Sequence, residues 1–312
     1  MKKFFWLIAP LISMTQVHAE VNVVYGQDGR IDVYQTRNTL LRRLTRANAG
    51  MVNIASFLST TSKGSADLNP RTTQTLAKGA NICSTEAFAN QYTAATCSGF
   101  LVGPDTIVTA GHCYRSFAPP ETVCANFVWV FDYEMTSATS NPTKNIPLNN
   151  IYGCKQVLGS QFDDNSDFAV IKLDRPVAGR EPLKFRLSGQ VSKSANLVVI
   201  GHPSGLPTKI TLGGKIIDNT GARTFVTNLD TFHGNSGSAV IDVSTGLVEG
   251  ILTSGKTDYT PSDARDPRSC QVVNVCREDG SNCVSETDTD PKGETVFRIT
   301  SIASDLKNVI KK

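Results

Sequence analysis

The chain has 312 residues, with 31 Lys+Arg against 28 Asp+Glu and a formal charge of +3. So near-neutral a balance gives no support to nucleic-acid or anionic-membrane binding, and 40% hydrophobic residues argue for a globular rather than a disordered chain. The absence of C-x-x-C and H-E-x-x-H spacings argues against a zinc ribbon, a thioredoxin-type redox site and a zinc peptidase helix. No metal and no cofactor is expected.

Residues 1–19 read as a signal peptide. Lys2 and Lys3 precede an apolar run over 4–14, and Val17-His18-Ala19 ends in the small-residue pattern of a cleavage site. The run is shorter than the roughly 20 apolar residues of a membrane span, so a secreted or periplasmic chain without membrane attachment is expected. All eight cysteines follow it, at 83, 97, 113, 124, 154, 270, 276 and 283, and an even count in an exported chain reads as up to four disulfides. Residues 20–35 alternate and break at Gly26 and Gly29, like two short strands around a turn. Leu40, Leu41 and Leu44 with Arg42, Arg43 and Arg46 predict a short amphipathic helix within 36–47, its arginines forming a solvated face. Short β-like runs then follow at 51–58, 97–102, 106–109, 127–132, 168–173, 195–200, 209–212, 224–228, 239–243, 247–253 and 296–299. Gly, Pro and Asn turns separate them, the pattern of an all-β sandwich or barrel. Residues 256–295 are polar and hold three cysteines, which predicts a long stapled loop. Its acidic residues Glu286, Asp288 and Asp290 read as a solvated stretch rather than a calcium site, and 302–310 predicts a C-terminal helix.

Three of the four histidines remain after His18 leaves with the signal peptide. His112 ends the run TIVTAGH over 106–112, which puts an imidazole on a turn directly after a strand. Ser236 lies in Gly234-Asn235-Ser236-Gly237-Ser238, where glycines allow a sharp turn with N–H groups free to face an oxyanion. Asp167 opens the apolar run 168–173, a position that Asp163, Asp164 and Asp174 lack. Base, orienter and nucleophile thus occur in the order His, Asp, Ser. An α/β-hydrolase needs Ser, Asp, then His, and no histidine follows Ser236. A subtilisin-like order would need the alternating helices that this strand-rich pattern lacks. His202, in Gly-His-Pro-Ser-Gly, reads as a turn residue.

The blocks CSGFLVGPDTIVTAGHC (97–113), DFAVIKLDRPV (167–177) and HGNSGSAV (233–240) resemble the three signature blocks of the trypsin/chymotrypsin-like serine proteases. They are more similar still to the bacterial branch that includes the glutamyl endopeptidases, and VVYGQDGRIDV (23–33) is similar to the start of mature enzymes there. The resemblance implies a chymotrypsin-like double six-stranded β-barrel with a short C-terminal helix. Residues 20–50 would form an N-terminal arm, 51–185 a first barrel carrying His112 and Asp167, and 186–312 a second carrying Ser236 and the loop 256–295. It implies a serine endopeptidase acting as a monomer on a polypeptide substrate. Ser236 would be the nucleophile, His112 the base, Asp167 the orienter, and the N–H groups of Gly234 and Ser236 the oxyanion donors. It implies a Cys97–Cys113 disulfide beside the histidine; the other six cysteines allow 15 pairings, among which sequence does not choose. Thr253-Ser254-Gly255 would pair with the substrate backbone, with Thr231 and His233 at the pocket rim. Asp230 stands six residues before Ser236, where trypsin-type enzymes place the pocket-base carboxylate that selects Arg or Lys, although bacterial relatives often carry Asp there for structural reasons. Glutamyl specificity is disfavoured because the histidine that reads an acidic side chain would fall at Leu252, and Thr295 would narrow the pocket wall. Asn235 replaces the aspartate that pairs with a new N-terminus in zymogens, so removal of the signal peptide is expected to yield active enzyme. The rival reading is a catalytically silent binding protein on the same scaffold, separable by fluorophosphonate labelling.

Overall fold

The computed structural model describes residues 24–58, 64–115, 118–283 and 293–310; the signal peptide and the acidic stretch 286–290 lie outside the described residues. Six antiparallel strands close the first barrel, in the order Ser166–Leu173, Thr106–Thr109, Cys97–Gly103, Asn48–Asn53, Phe127–Phe131 and Ile151–Asp163. Every residue of Cys97–Gly103 is buried, and Phe100, Leu101, Ile107, Val108, Trp129, Phe131 and Ile171 are sealed from solvent in this half. Each such side chain contributes about 1.5–3 kcal/mol of burial energy. Ala169 pairs with Thr109, a register that brings the residues just before one strand and just after the other to the same end of the barrel.

The second half is an eight-stranded antiparallel sheet in the order Ile216–Asp218, Thr224–Thr227, Glu294–Arg298, Leu247–Ser254, Ala239–Asp242, Leu197–Gly201, Lys209–Gly214 and Arg30–Asp32. Its members 216–218 and 209–214 are successive parts of one segment bent at Lys215, so the sheet curls round and returns to the segment where it began. With that segment counted once and the arm strand set aside, six strands remain, in keeping with the expected fold. One apolar core runs through both halves, from Leu41 and Leu44 through Phe100 and Ile171 to Ile241, Phe297 and Leu306.

The arm holds the two short strands expected of it, with partners the sequence did not name. Its two strands, Val24–Tyr25 and Arg30–Asp32, do not pair with each other. The first runs parallel to Val275–Cys276 and the second antiparallel to 209–211. The predicted helix is present as Thr39–Thr45, with Asn38 Oδ1 accepting from the amides of Leu40 and Leu41. The loop after Gly255 holds a small hairpin, Tyr259–Pro261 with Gln271–Val273. It is stapled as expected: Cys83–Cys270 ties it to the segment 76–92, and Cys276–Cys283 closes it locally. Cys124–Cys154 and Cys97–Cys113 complete four disulfides. No helix among the described residues is long and apolar enough to cross a membrane.

The Cys97–Cys113 bond spans 16 positions and ties the buried strand 97–103 to the turn after 106–109. Replacing both cysteines by serine is expected to lower stability by about 3 kcal/mol on the chain-entropy account. Urea unfolding checks it, and an unchanged midpoint would show that the bond carries no stability.

Candidate active site

His112 opens a short helical turn, His112–Arg115, directly after the strand Thr106–Thr109. Gly111 allows that turn, because a Cβ there would overlap the Gln161 carbonyl of the neighbouring strand. The pairing of Ala169 with Thr109 sets Asp167 beside it. Its Oδ1 accepts the His112 backbone N–H at 2.9 Å and its Oδ2 faces Nδ1 at 2.8 Å. A carboxylate is acceptor-only, so Nδ1 is the donor in this contact and Nε2 is the ring nitrogen turned away from Asp167. Both groups are partly buried. The exposed ring of Phe162 packs edge-on against the imidazole at 5.8 Å, and that ring was not a sequence candidate because its strand, Ile151–Asp163, mixes apolar and polar residues without regular alternation.

Ser236 comes from the other half. Its carbonyl accepts the Ser98 N–H at 2.8 Å and lies 3.9 Å from Cys113 Sγ, the residue after His112. The turn is thus docked against the disulfide beside the imidazole, although no hydrogen bond joins Ser236 Oγ to His112. In the turn, the amides of Asn235, Gly237 and Ser238 donate to Phe232, Leu252 and Asn235 carbonyls. Those of Gly234 and Ser236 donate to no group of the described residues. Gly234 has φ +91, and a Cβ on it would lie 2.6 Å from the His202 carbonyl, so only glycine fits. The Ser98 hydroxyl donates to the Gly234 carbonyl at 2.7 Å and accepts from His202 N–H at 2.9 Å. Asn235 is buried and accepts from the Ser238 hydroxyl. A ring nitrogen of His112 and the sulfurs of Cys97 and Cys113 lie within 4.8 Å of one another, but the sulfurs are spent in their mutual bond and offer no thiolate to a metal.

Two cavities flank the serine and the imidazole. One, of about 470 Å³, is lined by His112, Phe162, Asp167, Thr253, Ser254 and Thr295. The other, of about 320 Å³, is lined by Ser236, Thr231, His233, Gly255, Asp258 and Glu294 among others. Thr231, His233, Thr253, Ser254 and Gly255 therefore all line one or both of these cavities. Asp230 does not. Its Oδ1 accepts Tyr25 N–H at 2.8 Å and its Oδ2 accepts Gly29 N–H at 2.6 Å. The carboxylate expected at the pocket base is turned to the N-terminal arm instead, because two unpaired arm amides need buried acceptors.

Two acids line the second cavity, Asp258 and Glu294, both unrecognised in the sequence. Glu294 is the one beside Gly255. It accepts from Tyr25 O–H at 3.0 Å, from the Thr231 hydroxyl and from Lys256 N–H. It lies under Gly255, whose missing Cβ makes room for it. Thr295, expected to narrow this pocket, faces the other cavity. Burial pushes the Asp230 carboxyl up to about 6, Asp258 to about 7 and Glu294 to about 8. Burial lowers His202 to about 4, and lowers His233, which also feels His112. His202 is not a site residue: its ring sits in the interior against Asn48 and the Leu206 carbonyl.

These shifts carry a sign. Asp258 and Glu294 hold protons in the folded state above their ordinary values of 3.8 and 4.5. The folded state therefore binds more protons than the unfolded one, and stability falls as pH rises toward 8. The lowered histidines act oppositely, but below about pH 6.5, where an unfolded histidine protonates. The thermal midpoint of a Ser236→Ala variant is expected to fall between pH 6.5 and 8, and less so with Glu294→Gln added. A midpoint that rises over that interval would contradict the assignment.

Residues 97–251 match the trypsin-like peptidase domain family. No curated protein matches the chain. Among solved structures, a Glu endopeptidase in complex with MPD is 16% identical with TM-score 0.50, over 93% of this chain and 100% of that one. A human heparin binding protein is 12% identical with TM-score 0.54, over 92% and 97%. At such identities the likeness is one of fold.

Proposed function

We propose that this chain, which belongs to the trypsin-like serine peptidases by the domain it carries, is an exported monomeric endopeptidase that cuts peptide bonds after Arg or Lys through a His112–Asp167–Ser236 triad. The observation that carries the reading is the pair of contacts from Asp167 to His112, at 2.8 and 2.9 Å, beside a turn with two undonated amides. Ser236 Oγ attacks the scissile carbonyl while His112 Nε2 takes its proton, an apposition that tightens when substrate is bound. Gly234 and Ser236 amides receive the oxyanion. His112 then protonates the leaving amine, and water, activated by the same imidazole, hydrolyses the ester on Ser236. Asp167 holds the tautomer and stabilises the imidazolium. Beyond Ile251, where pairing with Ala239–Asp242 ends, Thr253, Ser254 and Gly255 offer a substrate backbone an edge to pair with.

The basic preference is supported by the cavity beside Ser236, which is lined by the carboxyl group of Glu294. Residues 48–185 and 186–312 serve as the two catalytic halves, the boundary expected at 51 moving to 48 because Asn48–Asn53 is a strand of the first barrel, and the arm strands Val24–Tyr25 and Arg30–Asp32 lie on the second half. Four disulfides suit an oxidising compartment. Signal-peptide removal is the activating cut, because a second cut after Arg30 would meet a buried residue. Its guanidinium lies 4.0 Å from the Phe232 ring and pairs with Asp28. N-terminal sequencing of the active species is expected to give residues before Val24, and a start at Ile31 would overturn this route.

Fluorophosphonate labelling tests the triad directly. The wild type is expected to label at Ser236 and Ser236→Ala not at all. A folded wild type that does not label is the silent binder.

A further inference from the structure

The stapled insertion reaches back to the catalytic turn through adjacent residues. Asp258 Oδ2 accepts the His233 N–H at 2.7 Å. Tyr259 shares a hydroxyl–hydroxyl bond of 2.5 Å with Ser204, and its ring packs on Phe232 at 5.4 Å. Ser204 in turn donates its N–H to the His233 carbonyl at 2.5 Å. It does so from the left-handed region, φ +51, which a serine adopts only when held there. His233 is therefore gripped on both sides, its N–H by Asp258 and its carbonyl by Ser204.

The grip bears on the next residue. The His233 carbonyl and the Gly234 N–H belong to one planar trans peptide and point in opposite directions. Whatever holds the carbonyl also fixes where the N–H points. Gly234 has no side chain to resist rotation, and a flipped peptide would present an acceptor where the oxyanion needs a donor. We propose that Asp258 and Tyr259 are positioning residues that lock the His233–Gly234 peptide with its N–H turned into the oxyanion site. The stapled loop would then be part of the catalytic apparatus rather than a surface decoration. The inference rests on the serine-peptidase reading.

The test compares wild type, Asp258→Ala, Asp258→Asn and Tyr259→Phe, each checked for fold by thermal melting. Readouts are kcat and KM on one peptide substrate, and the second-order rate of fluorophosphonate labelling, whose phosphoryl oxygen also occupies the oxyanion site. Losing one oxyanion donor lowers kcat by about 10²–10³-fold. Asp258→Ala is expected to approach that loss with KM changed less than threefold, and to slow labelling in parallel. Asp258→Asn, which keeps an acceptor oxygen, is expected to recover most of it. Tyr259→Phe, which frees only the Ser204 hydroxyl, is expected to cost less than Asp258→Ala. Folded variants with wild-type kcat and labelling, or a loss confined to KM, would overturn the proposal. If Asp258→Ala does not fold, the Asn and Phe variants decide it by the same criteria. Failure of the wild type itself to label would instead refute the peptidase reading.

Discussion

Replacing Asp167 by asparagine is expected to lower kcat by about 10⁴-fold with little change in KM. Both carboxylate oxygens are in use, Oδ1 on the His112 amide and Oδ2 on Nδ1. An asparagine must keep one oxygen on the backbone N–H, which turns its NH₂ toward Nδ1. That favours the tautomer with the proton on Nε2, where the imidazole can no longer accept from Ser236. The imidazolium formed during attack also loses its counter-charge. The effect belongs to the chemical step, so it should appear in kcat and in labelling rate alike, while the melting temperature stays close to wild type. The measurement is steady-state kinetics on a peptide substrate across pH. An Asp167→Asn enzyme within tenfold of wild type would remove Asp167 from the triad and return attention to Asp163 and Asp164, which line the same cavity.

The second large effect concerns the cavity beside Ser236. Removing one partner of a desolvated, hydrogen-bonded charge pair costs about 2–5 kcal/mol. Glu294→Gln is therefore expected to lower kcat/KM for Arg and Lys substrates by roughly 30- to 5,000-fold, and to leave substrates with neutral side chains within a few-fold. Asp230→Asn provides the contrast, because its carboxylate is occupied by the arm amides of Tyr25 and Gly29. It should weaken the fold without altering which residue is preferred. A pH signature accompanies the charge. Burial raises the Glu294 carboxyl to about 8, and a bound cation favours its ionised form. Affinity for basic substrates should strengthen as pH rises toward 8, while affinity for neutral ones should not. Cut-site mapping on a diverse peptide mixture decides the matter. Cleavage after neutral residues only, or loss of basic preference in Asp230→Asn rather than Glu294→Gln, would overturn this assignment.

The candidate triad was legible because each member sits in a short motif at a strand end, so local pattern and chain order carry the information. The strand-turn before His112 and the glycine-flanked serine need no distant partner to be recognised. The pocket is different. Asp230 and Tyr25 are 205 positions apart, and Glu294 and Tyr25 are 269 apart. Nothing local to Asp230 says that its oxygens are already taken, and nothing local to Glu294 says that it turns inward beneath Gly255. The arm strands were visible by alternation, but their partners at 275–276 and 209–211 were not. The strand Ile151–Asp163 is hidden for a physical reason: its apolar and polar residues are mixed without regular alternation, and it is half exposed. The helix Pro120–Asn126 escaped because a seven-residue helix with one buried residue leaves little periodicity to detect.

The two halves are strapped crosswise. The strand Arg30–Asp32 precedes the first barrel in the chain yet completes the sheet of the second. The helix Ala303–Ile310 follows the second barrel yet covers the first, with Ile310 against Gly103 and Leu306 in the core with Phe100. During synthesis the first half therefore emerges with its covering helix still to come, and the arm waits for a partner about 180 residues downstream, the kind of long-range closure that makes folding slow. A chain built this way gathers His112 and Ser236 into one cleft only after nearly all of it has been made. Its catalytic potential is silent throughout translation, and a ribosome-bound fragment carrying an intact HGNSGSAV block should hydrolyse nothing.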